Sequence, residues 1–386
     1  MFVENDKKRG YYFSQIDKSG VGPRKKVLGQ IKAFQKCGID LELVESPFEL
    51  EGKIRGNFIL RQIVCRLPFT YVYSKHTYQE KYKDADVFYI RFLAGDRYFS
   101  RFIKKLKENN PKARIVMELA DYPTTWYMTT SLFYKIIYFP ILLKDVLARK
   151  YYKKYVDRIA LLKPEDVVYG IPAIQFVNGI DVDSISVKEK CGTDVIKMIA
   201  VAAMCNFHGY ERLIEGLHQY YQNGGSRRIE IHFVGGKKAP GNELMRYIEM
   251  CNKYHLQGNV IFYGEKTGRE LDDIYNMCNI AIASLGMYKI GYKTANSLKV
   301  REYMAKGLPV ITGCPVDIMQ TGDFKYYYEF PNNDTSIDIN ELVIFFDKVY
   351  QKKEKDIIYE IRQYAVKYCD MVYAMKPVID YFKEEA

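Results

Sequence analysis

The sequence predicts an α/β chain folded as two doubly wound parallel-sheet domains facing a central cleft. Its 386 residues exceed one comfortable core, so two domains of about 150–200 residues are expected. Short apolar runs rich in β-branched and aromatic residues alternate with longer segments of helical period, the pattern of parallel strands joined by helices. Between two such series stands Phe176-Val-Asn-Gly-Ile-Asp-Val182, where Asn-Gly followed by Asp signals a turn. The domains are therefore expected at 1–180 and 181–370, with 371–386 as a closing helix that packs back on the first.

In the first half, Tyr11 to Ile16 reads as a strand and Lys18 to Pro23 as the turn after it. Val27, Leu28, Ile31 and Phe34 mark one face of a helix that stops at Gly38. Strands are expected at 39–44, 86–92 and 114–119, with a helix from Phe99 to Asn109 between the last two. The second half repeats this grammar, with strands at 196–203, 229–234, 260–263, 280–284 and 308–312. Its helices are expected at 209–222, 242–255, 269–277 and 298–306, and helical stretches at 338–350, 356–369 and 371–383 close the chain.

Composition narrows the class. With 48% apolar and 27% charged residues the chain is globular, not disordered. Its eight cysteines are scattered without a C-x-x-C pair, which reads as reduced thiols and points to the cytoplasm. No apolar run of signal-peptide length follows the basic N-terminus. The run Ile136 to Leu143 is too short for a bilayer, which needs about 20 residues. The net charge of +11 is uneven: residues 1–180 carry 32 Lys+Arg against 19 Asp+Glu, and residues 181–386 carry 26 against 28. A basic, tyrosine-rich half suits an anionic membrane surface or an acidic substrate. No nucleic-acid motif accompanies it, so nucleic acid is not an expected partner.

Four segments carry more specific information: Asn178-Gly-Ile-Asp181, His208-Gly-Tyr-Glu-Arg-Leu-Ile-Glu-Gly216, Val234-Gly-Gly236 and Leu298-Lys-Val-Arg-Glu-Tyr-Met-Ala-Lys-Gly-Leu-Pro-Val-Ile311. In order and spacing they resemble glycosyltransferase family 4, the group 1 glycosyltransferases. The resemblance implies the GT-B fold and a nucleotide sugar held as donor substrate in the C-terminal half, with no other cofactor. It also implies transfer, with retention, to a glycan or polyprenyl-linked acceptor in bacterial surface polysaccharide synthesis.

The residues have their own chemistry. A helix from Leu298, entered through the polar loop Lys289 to Ser297, offers free N–H groups and a positive dipole end to a diphosphate. Lys299 and Arg301 add charge, and Glu302, one turn in, is placed to accept hydrogen bonds from a ribose diol. His208 and Arg212 follow the first strand of this half, where the resembled family presents an arginine and a lysine to the diphosphate. Here His208 stands in place of that lysine, no arginine occurs from Ala202 to Phe207, and Thr294 stands where a sugar-binding glutamate is usual. Lys289 is the expected substitute on the sugar, and Gly235 belongs to the same ligand edge. Each of these side chains has a plain structural alternative, as a solvated helix-face group or a local packing residue.

No metal ligand set is expected, since Asp181-Val-Asp183 has the D-x-D spelling but falls in the turn between the halves. In the first half, Gly20 and Gly22 allow close backbone approach to a bound phosphate or sugar. Glu118 and Asp121, at the carboxyl end of a strand, are candidates to position or deprotonate an acceptor hydroxyl. Residues 124–158 mix basic and aromatic side chains and read either as a membrane-docking surface or as a helical hairpin under the first domain. Two rivals stand beside the transferase: a nucleotide-sugar epimerase, for which no acid–base pair is found, and a catalytically weakened partner subunit that binds without turnover.

Overall fold

The computed structural model describes residues 7–14, 21–45, 60, 63–72, 76–119, 122–123, 131–236, 243–321 and 324–384. Gly20 and Asp121 lie outside the described residues. The chain forms two units, Met1–Val177 with Met371–Ala386, and Asn178–Asp370.

The first unit is built on a seven-stranded sheet of order β2-β1-β3-β4-β5-β7-β6. Its strands are β1 (Lys8–Ser14), β2 (Ile39–Glu45), β3 (Val87–Phe92), β4 (Arg114–Leu119), β5 (Arg158–Leu161), β6 (Val167–Val168) and β7 (Ile171–Gln175). All pair in parallel except the short β6, which runs antiparallel to β7. Every residue of β3 is buried, as expected of a central parallel strand covered on both faces. One face carries α1 (Val21–Lys36) and the last helix of the chain, whose Met371, Met375 and Val378 share a core with Val27, Phe34 and Tyr89. The other face carries α2 (Arg97–Asn109) and α3 (Leu132–Tyr155), packed through Phe99, Phe102 and Tyr152.

The second unit holds an all-parallel six-stranded sheet of order β10-β9-β8-β11-β12-β13. These strands are β8 (Ile196–Val201), β9 (Ile229–Val234), β10 (Val260–Phe262), β11 (Ile280–Ile282), β12 (Val310–Thr312) and β13 (Tyr327–Glu329). Between them run α4 (Glu211–Gln222), α5 (Leu244–Lys253), α6 (Gly268–Met277) and α7 (Leu298–Lys306); α8 (Ile339–Val349) and α9 (Glu354–Tyr368) follow. The terminal α10 (Met371–Lys383) returns to the first unit.

Differences from the sequence expectations have local causes. The strand expected from Tyr11 begins at Lys8, because Lys8 and Arg9 pair with Ile39 and Asp40 through backbone groups that side-chain pattern does not report. The turn expected through Pro23 is helical from Val21; proline is tolerated in a first helical turn, where its missing N–H costs nothing. No hairpin forms over the described part of 124–158, since α3 runs unbroken through Pro140 for 24 residues. The strands β5, β6, β7 and β13, of two to five residues, are not among those expected from the sequence.

Candidate functional site

In the second sheet the strand order reverses between β8 and β11, and the loops leaving the carboxyl ends of those two strands meet there. Open α/β sheets present functional groups at such a switch point. The two loops are tied together, for the Leu285 N–H donates to the His208 carbonyl at 2.7 Å. Gly209 makes that approach possible: its φ is +65°, and a Cβ there would stand 2.5 Å from the Gly286 nitrogen.

Three side chains converge on this point. His208 closes a single 3-10 turn, where its Nδ1 accepts the Cys205 N–H at 2.8 Å. The ring proton therefore sits on Nε2, which is left as a donor. Burial, with the Lys299 ammonium nearby, pulls the His208 pKa down to about 3, so the ring is neutral at physiological pH. Lys299 lies in the first turn of α7, retaining some exposure along its stem while its Nζ is sealed from solvent and has no hydrogen-bond partner among the described residues. Burial lowers its pKa to about 8, against the pull of Cys205 and Glu302. Glu302 is partly exposed one position short of the fully buried Tyr303.

The entrance to α7 is also open. Ser297 stands at the N-cap without a capping side-chain hydrogen bond, and Leu298 follows half-buried. The preceding Asn296 leaves its buried Oδ1 unpartnered, while its carbonyl accepts from Asn178 Nδ2 at 3.1 Å. An ammonium without a hydrogen-bond partner among the described residues, beside an uncapped helix N-terminus, favours an anion.

Other candidates are held elsewhere. Lys289 pairs with Glu211 and donates to the Asn206 side chain at 3.0 Å, locking its loop to the turn that carries His208. Arg212 is buried, and its guanidinium donates to the carbonyls of Thr335 at 2.6 Å, Pro331 at 2.9 Å and Leu285. Three of its five N–H groups are committed to loop carbonyls, so in this structure Arg212 fastens loops together. Arg301 is wholly buried and bonds Asp317 at 2.6 Å and the Ser297 carbonyl at 3.0 Å, so it anchors the start of α7 instead of facing a ligand. Gly235, at φ +100°, brings the end of β9 against β8, where a Cβ would meet the Ala202 carbonyl oxygen at 2.2 Å.

In the first unit, Glu118 is fully buried on β4. It pairs with Arg91 at 2.6 Å and accepts from Tyr89 at 2.7 Å and Gln30 at 2.9 Å. With these three hydrogen bonds the carboxylate is committed inside the sheet and shut off from solvent, so in this structure it is not presented to an acceptor hydroxyl. Gly22 lies within the first turn of α1. The sequence reading passed over Cys205 and Asn296. The Cys205-x-x-His208 spacing, read as a capping pair of a single turn, was the signal for the first; nothing in the sequence marks the second. Among the described residues no group of three His, Cys, Asp or Glu is placed to hold a metal ion.

Comparison with known proteins adds to this geometry. Residues 196–335, which contain His208, Lys299 and Glu302, match the family model described as glycosyl transferases group 1. No curated protein matches the chain. Among solved structures, a glycosyltransferase from Rickettsia africae superposes with a TM-score of 0.60 at 14% identity, over 97% of this chain and 98% of that one. HepE of Anabaena, solved in complex with UDP, gives 0.55 at 11% identity, over 97% and 99%. Sucrose-phosphate synthase of Thermosynechococcus elongatus gives 0.55 at 12% identity, over 97% and 98%. The chain has the GT-B fold, and its second unit is similar to the group 1 glycosyltransferases. Within that GT-B fold, the family match begins at β8 and spans both loops of the switch point and the whole of α7.

Proposed function

We propose that the chain is a glycosyltransferase that holds a nucleotide sugar in its second unit and passes the sugar, with retention, to a glycan or polyprenyl-linked glycan acceptor. The setting of this reading is bacterial surface polysaccharide synthesis, in the cytoplasm at an anionic membrane surface. The observation that carries it is the enclosed, unpartnered Lys299 ammonium at the uncapped start of α7, inside the segment that matches the group 1 family.

An ammonium buried without a hydrogen-bond partner is unfavourable unless something anionic completes it. A nucleoside diphosphate does so, and the same charge then stabilises the diphosphate as it leaves. Glu302 takes the ribose diol and the His208 Nε2–H donates to a phosphate oxygen. Neither His208, whose Nδ1 is taken by the Cys205 N–H and whose pKa lies near 3, nor Glu118, committed to Arg91, is an effective base. In this reading the acceptor hydroxyl attacks the anomeric carbon as its bond to the phosphate oxygen breaks, and that departing oxygen takes the hydroxyl proton. Positive charge for the leaving group comes from Lys299 and the helix, without a metal.

HepE was solved with UDP, so uridine nucleotides are the first to test. Thermal shift and hydrolysis assays over UDP-, GDP- and dTDP-sugars would compare the wild type with Glu302→Ala and Lys299→Met. Stabilisation and slow nucleotide release by one donor, lost in both variants, is the expected result. No response to any sugar nucleotide would overturn the reading. The partner-subunit alternative draws on Arg212 being consumed by carbonyls and on the absence of a glutamate at Thr294. Nucleotide binding without release in the presence of acceptor glycans would favour it.

A further inference from the structure

The helix α3 has two apolar faces and uses one. Ile141, Ala148, Tyr152 and Tyr155 are buried in the first unit. Leu132, Ile136, Phe139, Leu143 and Leu147, at the three- and four-residue spacing of a second stripe, are 45–73% exposed. No helix among the described residues is long and apolar enough to cross a membrane. The outward stripe borders a groove of about 640 Å³, walled by Phe69, Phe139, Leu143 and Leu147.

The mouth of this groove is cationic. Lys144 is drawn down onto the Cys65 and Thr70 carbonyls at 2.9 and 3.0 Å. Arg97 and Lys150 stand at the rim without an ion-pair partner among the described residues, Arg97 held over the Phe69 ring at 5.1 Å. The acids nearby do not neutralise them. Asp96 caps α2, accepting from the N–H groups of Val72, Tyr98 and Phe99. Asp145, the one acid in α3 against basic residues at 135, 144, 149, 150, 153 and 154, is buried on the Gly95 N–H and Arg149.

We infer that this groove is a binding site for an anionic lipid, the hydrocarbon chain lying along Phe139, Leu143 and Leu147 and the headgroup phosphate between Arg97 and Lys150. The apolar groove and its cationic rim together answer both parts of an anionic lipid, its hydrocarbon chain and its phosphate. Charge complementarity selects the occupant, since a neutral apolar partner would leave the rim cations unanswered. The inference deepens the membrane part of the reading above, but does not depend on the donor chemistry, which resides in other residues.

The test uses the full chain with vesicles of phosphatidylglycerol in phosphatidylcholine, vesicles of phosphatidylcholine alone, and soluble dodecyl phosphate. Flotation with the anionic vesicles is expected, with one dodecyl phosphate bound per chain by calorimetry. R97S/K150S should weaken vesicle binding by about thirtyfold, from roughly two surface cations lost. Leu143→Glu, at an exposed position, should abolish binding of both. Thermal shift by sugar nucleotide serves as the folding control, and its retention in both variants separates failure of the lipid site from failure of the transferase reading. Equal flotation with neutral vesicles, or unchanged binding in Leu143→Glu, would overturn the inference. So would a wild-type dimer that Leu143→Glu renders monomeric while neither binds lipid, because the face would then be covered by a second copy.

Discussion

Arg91 and Glu118 are register partners on neighbouring strands of the first sheet, and their guanidinium and carboxylate meet at 2.6 Å where no solvent reaches the carboxylate. Burial raises the Glu118 pKa, but Arg91, Lys26, Tyr89 and Gln30 together outweigh it and hold the carboxyl below its ordinary value. Removing one member leaves a buried charge uncompensated, which costs about 3–5 kcal/mol. Glu118→Gln should lose stability of that order in urea unfolding at neutral pH. The sign of the pH dependence follows from the lowered folded pKa: the stabilisation is complete above the unfolded carboxyl pKa of about 4.3 and is lost as pH falls through the folded value. Wild type should therefore lose stability more steeply on acidification than Glu118→Gln.

Lys299 is expected to set function against stability. Its pKa falls to about 8 in the folded protein, below the ordinary lysine value, so the unfolded chain binds more protons between the two. The penalty is full below about pH 8 and is relieved as pH rises, so ligand-free stability should increase from pH 8 to pH 10 by this group's contribution. Lys299→Met should raise the Tm of the free protein at pH 7 while weakening nucleotide binding. Wild-type nucleotide affinity should also fall as pH rises through 8, and the methionine variant should show no such slope. A variant both less stable and unchanged in affinity would contradict this account.

The loop pair at the switch point depends on Gly209. An alanine there would have to adopt a φ of +65° with its Cβ 2.5 Å from the Gly286 backbone nitrogen, which cannot give way as a flexible side chain would. Gly209→Ala should cost about 1–3 kcal/mol from the backbone conformation alone. Because the displaced backbone carries His208 and abuts the Leu285 loop, nucleotide affinity should fall with it. Urea unfolding and calorimetric titration of the same preparation check both.

Much of the GT-B fold was legible because its core elements are long or strongly periodic. Strands such as Val87–Phe92 and Ile229–Val234 read as buried apolar runs, and α7 was bounded by a polar loop and by Gly307. The strand β6, with two residues, has no period to read and is held by its antiparallel pairing with β7. At the site, residue type located the neighbourhood but not the direction of each side chain. Lys299, Arg301 and Arg212 are equally cationic in sequence. Only the folded chain distinguishes an ammonium without a partner from guanidinium groups consumed by Asp317 and by loop carbonyls. The commitment of Glu118 was likewise not legible, since its partner Arg91 is distant in sequence and adjacent only through strand register.

Arg212 gives a test that separates a structural role from a ligand role by the chemistry of the replacement. Its planar fork reaches three carbonyls from two segments, Leu285 on one side and Pro331 and Thr335 on the other, and thereby fastens the site loop to the chain before α8. A lysine keeps the charge but is a point donor and cannot span those acceptors. A carbonyl left unpaired where it is buried, as that of Leu285 is, costs about 1–3 kcal/mol, while those of the exposed Pro331 and Thr335 can turn to water. Arg212→Lys and Arg212→Ala should therefore be destabilised alike in urea unfolding, with both losing nucleotide affinity to a similar degree through the loosened Leu285 loop. Had the guanidinium instead faced the diphosphate, the lysine variant would retain stability and most of the affinity, and the alanine variant would lose affinity alone. Measuring the two substitutions side by side thus decides whether the charge of Arg212 or the shape of its donor fork is what the protein uses.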